Sequence, residues 1–151
     1  MTPMEETGRI IGVDLGLKRI GVSISDETNT LASPLVTLSY RGLEDLAENL
    51  TALAIKHGAS SFVVGLPKNM DGTLGPSAKR ARRFAGLLER YAGMPVFLSD
   101  ERLTTSQAEK EMIALGKSRR LRKNTIDGAA AALILENYLR ARRNRTPQKE
   151  G

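Results

Sequence analysis

Ile10-Ile11-Gly12-Val13-Asp14-Leu15, then Gly16-Leu17-Lys18, then Arg19-Ile20-Gly21-Val22-Ser23-Ile24-Ser25: these sixteen residues decide how the chain folds. The first six form a short apolar run. The last seven alternate, with Ile20, Val22 and Ile24 opposed to Arg19, Gly21, Ser23 and Ser25. Period-two alternation sets the three β-branched residues on one face of a strand. Gly16-Leu17-Lys18 is short enough to reverse the chain, so a β-hairpin is predicted. The hairpin carries one anomaly. Asp14 stands at the end of an apolar strand, and a carboxylate at the edge of a core is costly unless something compensates it.

Working outward, Asp26 to Asn29 supply the next turn. Leu31 to Leu38 read as a third strand, in which Pro34 marks an edge or a bulge. Leu43, Leu46, Ala47, Leu50, Leu53 and Ala54 follow helical spacing up to His57, with Gly58 as the C-cap. Phe62 to Leu66 is a buried-type strand stopped by Pro67, and residues 68–76 form a turn-rich loop. A second helix is predicted over 77–91, with Ala81, Phe84, Ala85, Leu88 and Tyr91 inward, and Pro95 to Ser99 give a fifth strand. Thr104 and Gln107 form a capping box for a third helix carrying Ala108, Met112 and Leu115. Lys117 to Asn124 reads as a basic linker, and the last helix runs from Thr125 to Arg142. The order βββαβαβαα predicts one mixed five-stranded α/β sheet, three antiparallel strands followed by parallel ones, with helices on both faces. A single domain over residues 1–151 is expected, with 1–8 and 143–151 as flexible termini.

Composition narrows the chemistry. Cysteine is absent, which excludes thiolate catalysis and disulfides, and the single histidine, His57, argues against a His-ligated metal cluster or a Ser-His-Asp triad. Aromatics are 4% of residues, too few for a platform of stacked bases. The net charge of +6 favours a polyanionic partner. The polar start, Met1 to Thr7, has no secretion-signal character, and no apolar run is long enough to span a bilayer.

Asp14 has two counterparts: Glu101, directly after Val96-Phe97-Leu98-Ser99-Asp100, and Asp127, in Ile126-Asp127-Gly128-Ala129-Ala130-Ala131. Right-handed crossovers would lay the later strands beside the first and bring these acids toward one edge. Three carboxylates there would bind hard cations, Mg²⁺ or Mn²⁺, through oxygen. Two such ions can activate a water and stabilise a leaving oxygen with no side-chain base. Each acid also has a plainer local reading: Asp14 as a turn residue before Gly16, Glu101 as a loop acid paired with Arg102, and Asp127 as a helix-start residue with Asn124. Asp100 competes with Glu101, and Asp26 ends another strand as a turn former.

Basic residues cluster at Lys79, Arg80, Arg82 and Arg83, at Lys117, Arg119, Arg120, Arg122 and Lys123, and at Arg140, Arg142, Arg143 and Arg145. The first lies on the second helix; the last, in the tail, reads as a solvated face. The middle one precedes Asp127 and, with Lys18 and Arg19 beside Asp14, would hold phosphates without reading sequence.

These strings resemble the YqgF/RuvX family of RNase H-like nucleases. The resemblance rests on Gly12-x-Asp14-x-Gly16-x-Lys18-Arg19-Ile20-Gly21, on Val64-Gly65-Leu66-Pro67 with Asp71-Gly72, on Ser99-Asp100-Glu101-Arg102-Leu103-Thr104-Thr105, and on Ile126-Asp127-Gly128-Ala129-Ala130-Ala131. They occur in the family's order across about residues 9–140. The resemblance implies an RNase H-like fold, a cytoplasmic location, and a metal-dependent nuclease with Asp14, Glu101 and Asp127 on the acidic positions. Gly128 departs from the alanine or serine more usual there. The function expected is endonucleolytic processing of the 5′ end of pre-16S rRNA, with Lys18, Arg19, Arg102, Arg119, Arg120, Arg122 and Lys123 contacting nucleic acid. The alternatives are a Holliday junction resolvase acting on four-way DNA, and a non-catalytic ribosome-associated RNA-binding factor. The first needs a homodimer for paired cuts, whereas RNA trimming is open to a monomer. An actin-like or sugar-kinase-like nucleotide binder is disfavoured, because those proteins close two related lobes and this chain has no internal repeat.

Overall fold

The computed structural model describes residues 8–67, 74–100 and 119–150; within the last segment, side chains are described for residues 128–143. Its elements are β1 (Arg9–Leu15), β2 (Arg19–Ser25), β3 (Ala32–Ser39), α1 (Leu43–His57), β4 (Ala59–Leu66), α2 (Pro76–Ala92), β5 (Val96–Asp100) and α3 (Arg119–Glu150). The strands make one sheet in the order β3-β2-β1-β4-β5. β1 pairs antiparallel with β2 and β2 with β3, while β1, β4 and β5 run parallel. This is the mixed sheet that the pattern predicts, with β4 lying between β1 and β5.

Alternation along the strands sorts side chains between two cores. Ile11, Val13, Ile20, Val22, Phe62 and Val64 meet Leu46, Leu50 and Ala54 of α1 and Phe84 and Leu88 of α2. On the opposite face, Ile10 and Val63 meet Ile134, Leu135 and Leu139 of α3. Helices therefore cover both faces.

Local signals account for most boundaries. α1 ends at Gly58, whose φ of 73° is the left-handed geometry that glycine adopts without a Cβ clash. Pro34 lies in an edge strand and also at a bulge, since the β2–β3 register slips between Val22 and Ser23. Both roles free a residue that cannot donate to the ladder.

One expectation requires correction. The segment read as a basic linker is helical from Arg119 onward, so Arg119, Arg120, Arg122 and Lys123 belong to α3. Arginine, leucine and lysine are good helix formers, and joining the alanine run that follows outweighs the weak start signal of Asn124-Thr125. Ser23 and Ser25, on the polar side of the β2 pattern, are buried, because α3 covers that face. The predicted third helix over Thr104 to Leu115 lies outside the described residues.

Candidate active site at the carboxyl edge of the parallel strands

The parallel register locates Asp14. Val13 pairs with Val64 and Val64 with Leu98; one step further, Gly65 pairs with Ser99. Asp14, Gly65 and Ser99 thus form one level across the carboxyl ends of β1, β4 and β5. Alternation puts all three on the α3 face: Asp14 with Ile10 and Gly12, Gly65 with Val63, and Ser99 with Phe97, whose ring stacks on Tyr138 of α3 at 5.5 Å. Strand spacing of about 4.8 Å sets the Asp14 and Ser99 backbones roughly 10 Å apart. Glycine on β4 adds no side chain between them.

Helix α3 approaches this face closely. A Cβ on Gly12 would lie 2.5 Å from Ser23 Oγ, 3.0 Å from Leu135 Cβ and 3.1 Å from the Ala131 carbonyl oxygen. Ser23 Oγ donates to that carbonyl at 2.8 Å, fastening the helix to the hairpin. The direction of the helix follows from its two ends. Gly128 lies over Pro34, 3.0 Å from a would-be Cβ, whereas Arg143 reaches the Thr30 carbonyl in the β2–β3 turn at the far end of the sheet. The start of α3 therefore points toward the Asp14 edge.

Position 127 precedes Ala131 by four residues, about 6 Å of helix rise. Asp14 follows Gly12 by two residues, about 6.6 Å of strand. From the Gly12–Ala131 contact, both positions advance by similar lengths toward the same edge. Because α3 begins at Arg119, Asp127 is no first-turn residue, and capping or a dipole interaction does not account for it. The Asp127 side chain lies outside the described residues, as do Glu101 and Arg102 entirely. Among the described residues, no three histidine, cysteine, aspartate or glutamate side chains form a metal-binding group. What is described on the α3 face of this edge is one carboxylate, Asp14, and the two backbone elements that lead toward it.

The competing acids separate. Asp100 follows Ser99 on β5, and alternation turns it to the face opposite Asp14. Asp26 is at the other end of the sheet, where its carboxylate accepts from the Thr30 N–H at 2.8 Å, the Leu31 N–H at 3.1 Å and the Thr28 hydroxyl at 2.8 Å. It is a turn former. The Thr30 backbone bond first, then the Thr28 and Leu31 bonds, hold its carboxyl below the ordinary 3.8. A folded pKa lowered in this way stabilises the fold above the unfolded value, and the effect is lost as pH falls through the folded one. Asp26→Ala should lower Tm at pH 7, and the gap from wild type should close on acidification below 3.8, read from melts across pH.

Lys18 is exposed in the β1–β2 turn and Arg19, half-buried, opens β2. Sequence reasoning missed Arg80. Its guanidinium, from α2, donates to the carbonyls of Gly16 at 3.0 Å and Leu15 at 3.4 Å and lies 4.8 Å from the centroid of the Tyr40 ring. The only sequence signal was a basic residue next to the inward Ala81.

Comparisons with known proteins bear on the family and the fold. The family model described as RuvX, Holliday junction resolvase, matches residues 8–141. A protein of Pelotomaculum thermopropionicum, named a candidate pre-16S rRNA nuclease, is 45% identical over 132 residues, 87% of this chain and 86% of that one. One of Geobacillus kaustophilus with the same name is 45% identical over 138 residues, covering 89% and 99%. Among solved structures, Thermus thermophilus RuvC in complex with a Holliday junction substrate superposes with a TM-score of 0.56 at 16% identity, over 91% of this chain and 96% of that one. The fowlpox virus resolvase with junction DNA gives 0.52 at 10% identity, over 88% and 97%. At such identities these two establish the fold, that of the RNase H-like resolvases.

Proposed function

From the premise that the chain belongs to the RuvX family, we propose that it is a divalent-metal-dependent endonuclease acting on structured RNA, in processing of the 5′ end of pre-16S rRNA. The observation that carries this reading is Asp14 at the carboxyl edge of the central strand, on the face toward which the start of α3 points. Asp14, Glu101 and Asp127 are the residues that would hold Mg²⁺ or Mn²⁺. The donor set fits: oxygen ligands suit hard cations, and the described part of the edge offers neither thiolate nor imidazole. Bound there, the metal would supply Lewis acidity and a water of lowered pKa.

The chain's own residues do the rest. Strand β1 fixes Asp14 by its ladder to Gly21, and the packing of Gly12 against α3 sets the separation of helix and strand. Lys18, Arg19, Arg102, Arg119, Arg120, Arg122 and Lys123 would neutralise and align the phosphates. The test is cleavage of a pre-16S 5′ fragment and of a four-way DNA junction, each with Mg²⁺, with Mn²⁺ and with chelator. Cutting of the RNA alone, abolished by chelator, is expected.

The family description favours one alternative, junction resolution. That activity requires paired cuts and hence a dimer on the junction, which light scattering of the complex decides. Electrostatic affinity yields a further prediction. If all seven named cations contact single-stranded RNA, log K should fall against log salt with a slope of about −5, at roughly 0.7 per phosphate. Lys18→Ala should lower that slope by about 0.7 without changing sequence preference, measured by fluorescence anisotropy.

A further inference from the structure

We propose that Arg80 is a positioning residue, which latches the turn following Asp14 and so fixes that carboxylate and Lys18 relative to the substrate phosphate. The inference rests on the nuclease reading of the same edge.

The turn Gly16-Leu17-Lys18 has almost no core of its own. Leu17, at its apex, is 74% exposed, so apolar packing does not determine where the turn sits. Hydrogen bonds do. The Gly16 N–H donates to the Asp14 carbonyl at 3.0 Å, and the Tyr40 N–H donates to the Lys18 carbonyl at 2.9 Å. The remaining side is held by Arg80, which takes both the Leu15 and the Gly16 carbonyls. Its guanidinium is stacked near the ring of Tyr40, whose own N–H holds the opposite end of the turn. Both ends of a three-residue reversal are thereby clamped by one pair of residues, drawn from α2 and from the segment after β3.

Arginine suits this position for reasons that lysine does not meet. The guanidinium reaches both carbonyls through one terminal nitrogen, Nη1, while its planar face rests on an aromatic ring. An ammonium group is a strongly hydrated point charge without that geometry. Gly16 is itself required, since a Cβ there would lie 2.3 Å from the Arg19 carbonyl oxygen. The turn is therefore tight and externally braced, as expected where a displacement of about 1 Å costs on the order of 10²-fold in rate.

Arg80→Lys and Arg80→Gln are the test variants, compared with wild type for kcat and KM on the RNA fragment and for amide hydrogen exchange. We expect kcat to fall by about tenfold in both, KM to change less than twofold, and exchange to quicken at residues 16–18 but not across the β1–β4 ladder. A rise in KM reversed by Arg80→Lys would make Arg80 a phosphate contact and overturn the proposal. Unchanged exchange at the turn, or exchange that quickens equally throughout the fold, would overturn it as well. Should wild type cut no substrate with either metal, the nuclease reading fails, and the exchange data alone still decide whether the latch exists.

Discussion

Asp14→Asn is expected to reduce kcat by about 10³-fold or more, with Tm and substrate affinity close to wild type. The substitution is nearly isosteric, and the backbone of residue 14 keeps its place opposite Gly21. The loss is electrostatic. An amide supplies one neutral oxygen where the proposed metal site requires an anionic ligand, and several kcal/mol of transition-state stabilisation depend on that ion. Single-turnover cleavage separates this effect from binding. In cells, the variant should fail to support ribosome maturation. If it supports maturation as well as wild type does, the protein acts as an RNA-binding factor and the catalytic reading is wrong.

The second large effect concerns spacing rather than charge. Gly12→Val should destabilise the fold by about 3 kcal/mol and lower Tm by roughly 10 °C, because the added carbons meet Ser23 Oγ, which is held by its bond to the Ala131 carbonyl, and then Leu135 Cβ and that carbonyl itself. Helix α3 must then move away from β1, carrying position 127 away from Asp14. Activity at a temperature where the variant stays folded should therefore fall by about 10²-fold. Leu139→Ala is the matching control. Leu139 is 2% exposed in the same helix–sheet core, and its truncation should cost about 2–5 kcal/mol by leaving a cavity. Without overpacking to displace the helix, Leu139→Ala should retain activity in the cold. If both variants lose activity in proportion to stability alone, the close approach at Gly12 has no special role in the site.

Much of this framework could be read from the chain because it depends on local rules. The alternation of Ile20, Val22 and Ile24 and the reversal at Gly16 to Lys18 predict the hairpin that forms. The 3.6-residue spacing from Leu43 to Ala54, closed by Gly58, gives α1. Where the reading went astray, the deciding interaction was distant. Asn124-Thr125 resembles a helix start, yet the residues before it already favour helix, so α3 begins at Arg119. Nothing in the β2 pattern reports the burial of Ser23, because its partner, the Ala131 carbonyl, lies 108 residues away. Arg80 was indistinguishable from its solvated neighbours because its acceptors belong to another element.

The candidate site divides along the same line. An acid after an apolar strand is visible in sequence, and so is the competition between Asp100 and its neighbours. The face on which each residue lies is not. It required the register that levels Asp14 with Ser99 and turns Asp100 away. Asp26 showed the reverse: a turn former by sequence, and one by its three hydrogen bonds.

Anomalous diffraction from Mn²⁺-soaked crystals tests the central claim most directly. The proposed site predicts manganese at the carboxyl edge of β1, within coordination distance of Asp14 and with Glu101 and Asp127 among its ligands. Manganese bound at unrelated acids, with Asp14 bare and the other two carboxylates too distant to share an ion with it, would contradict the account.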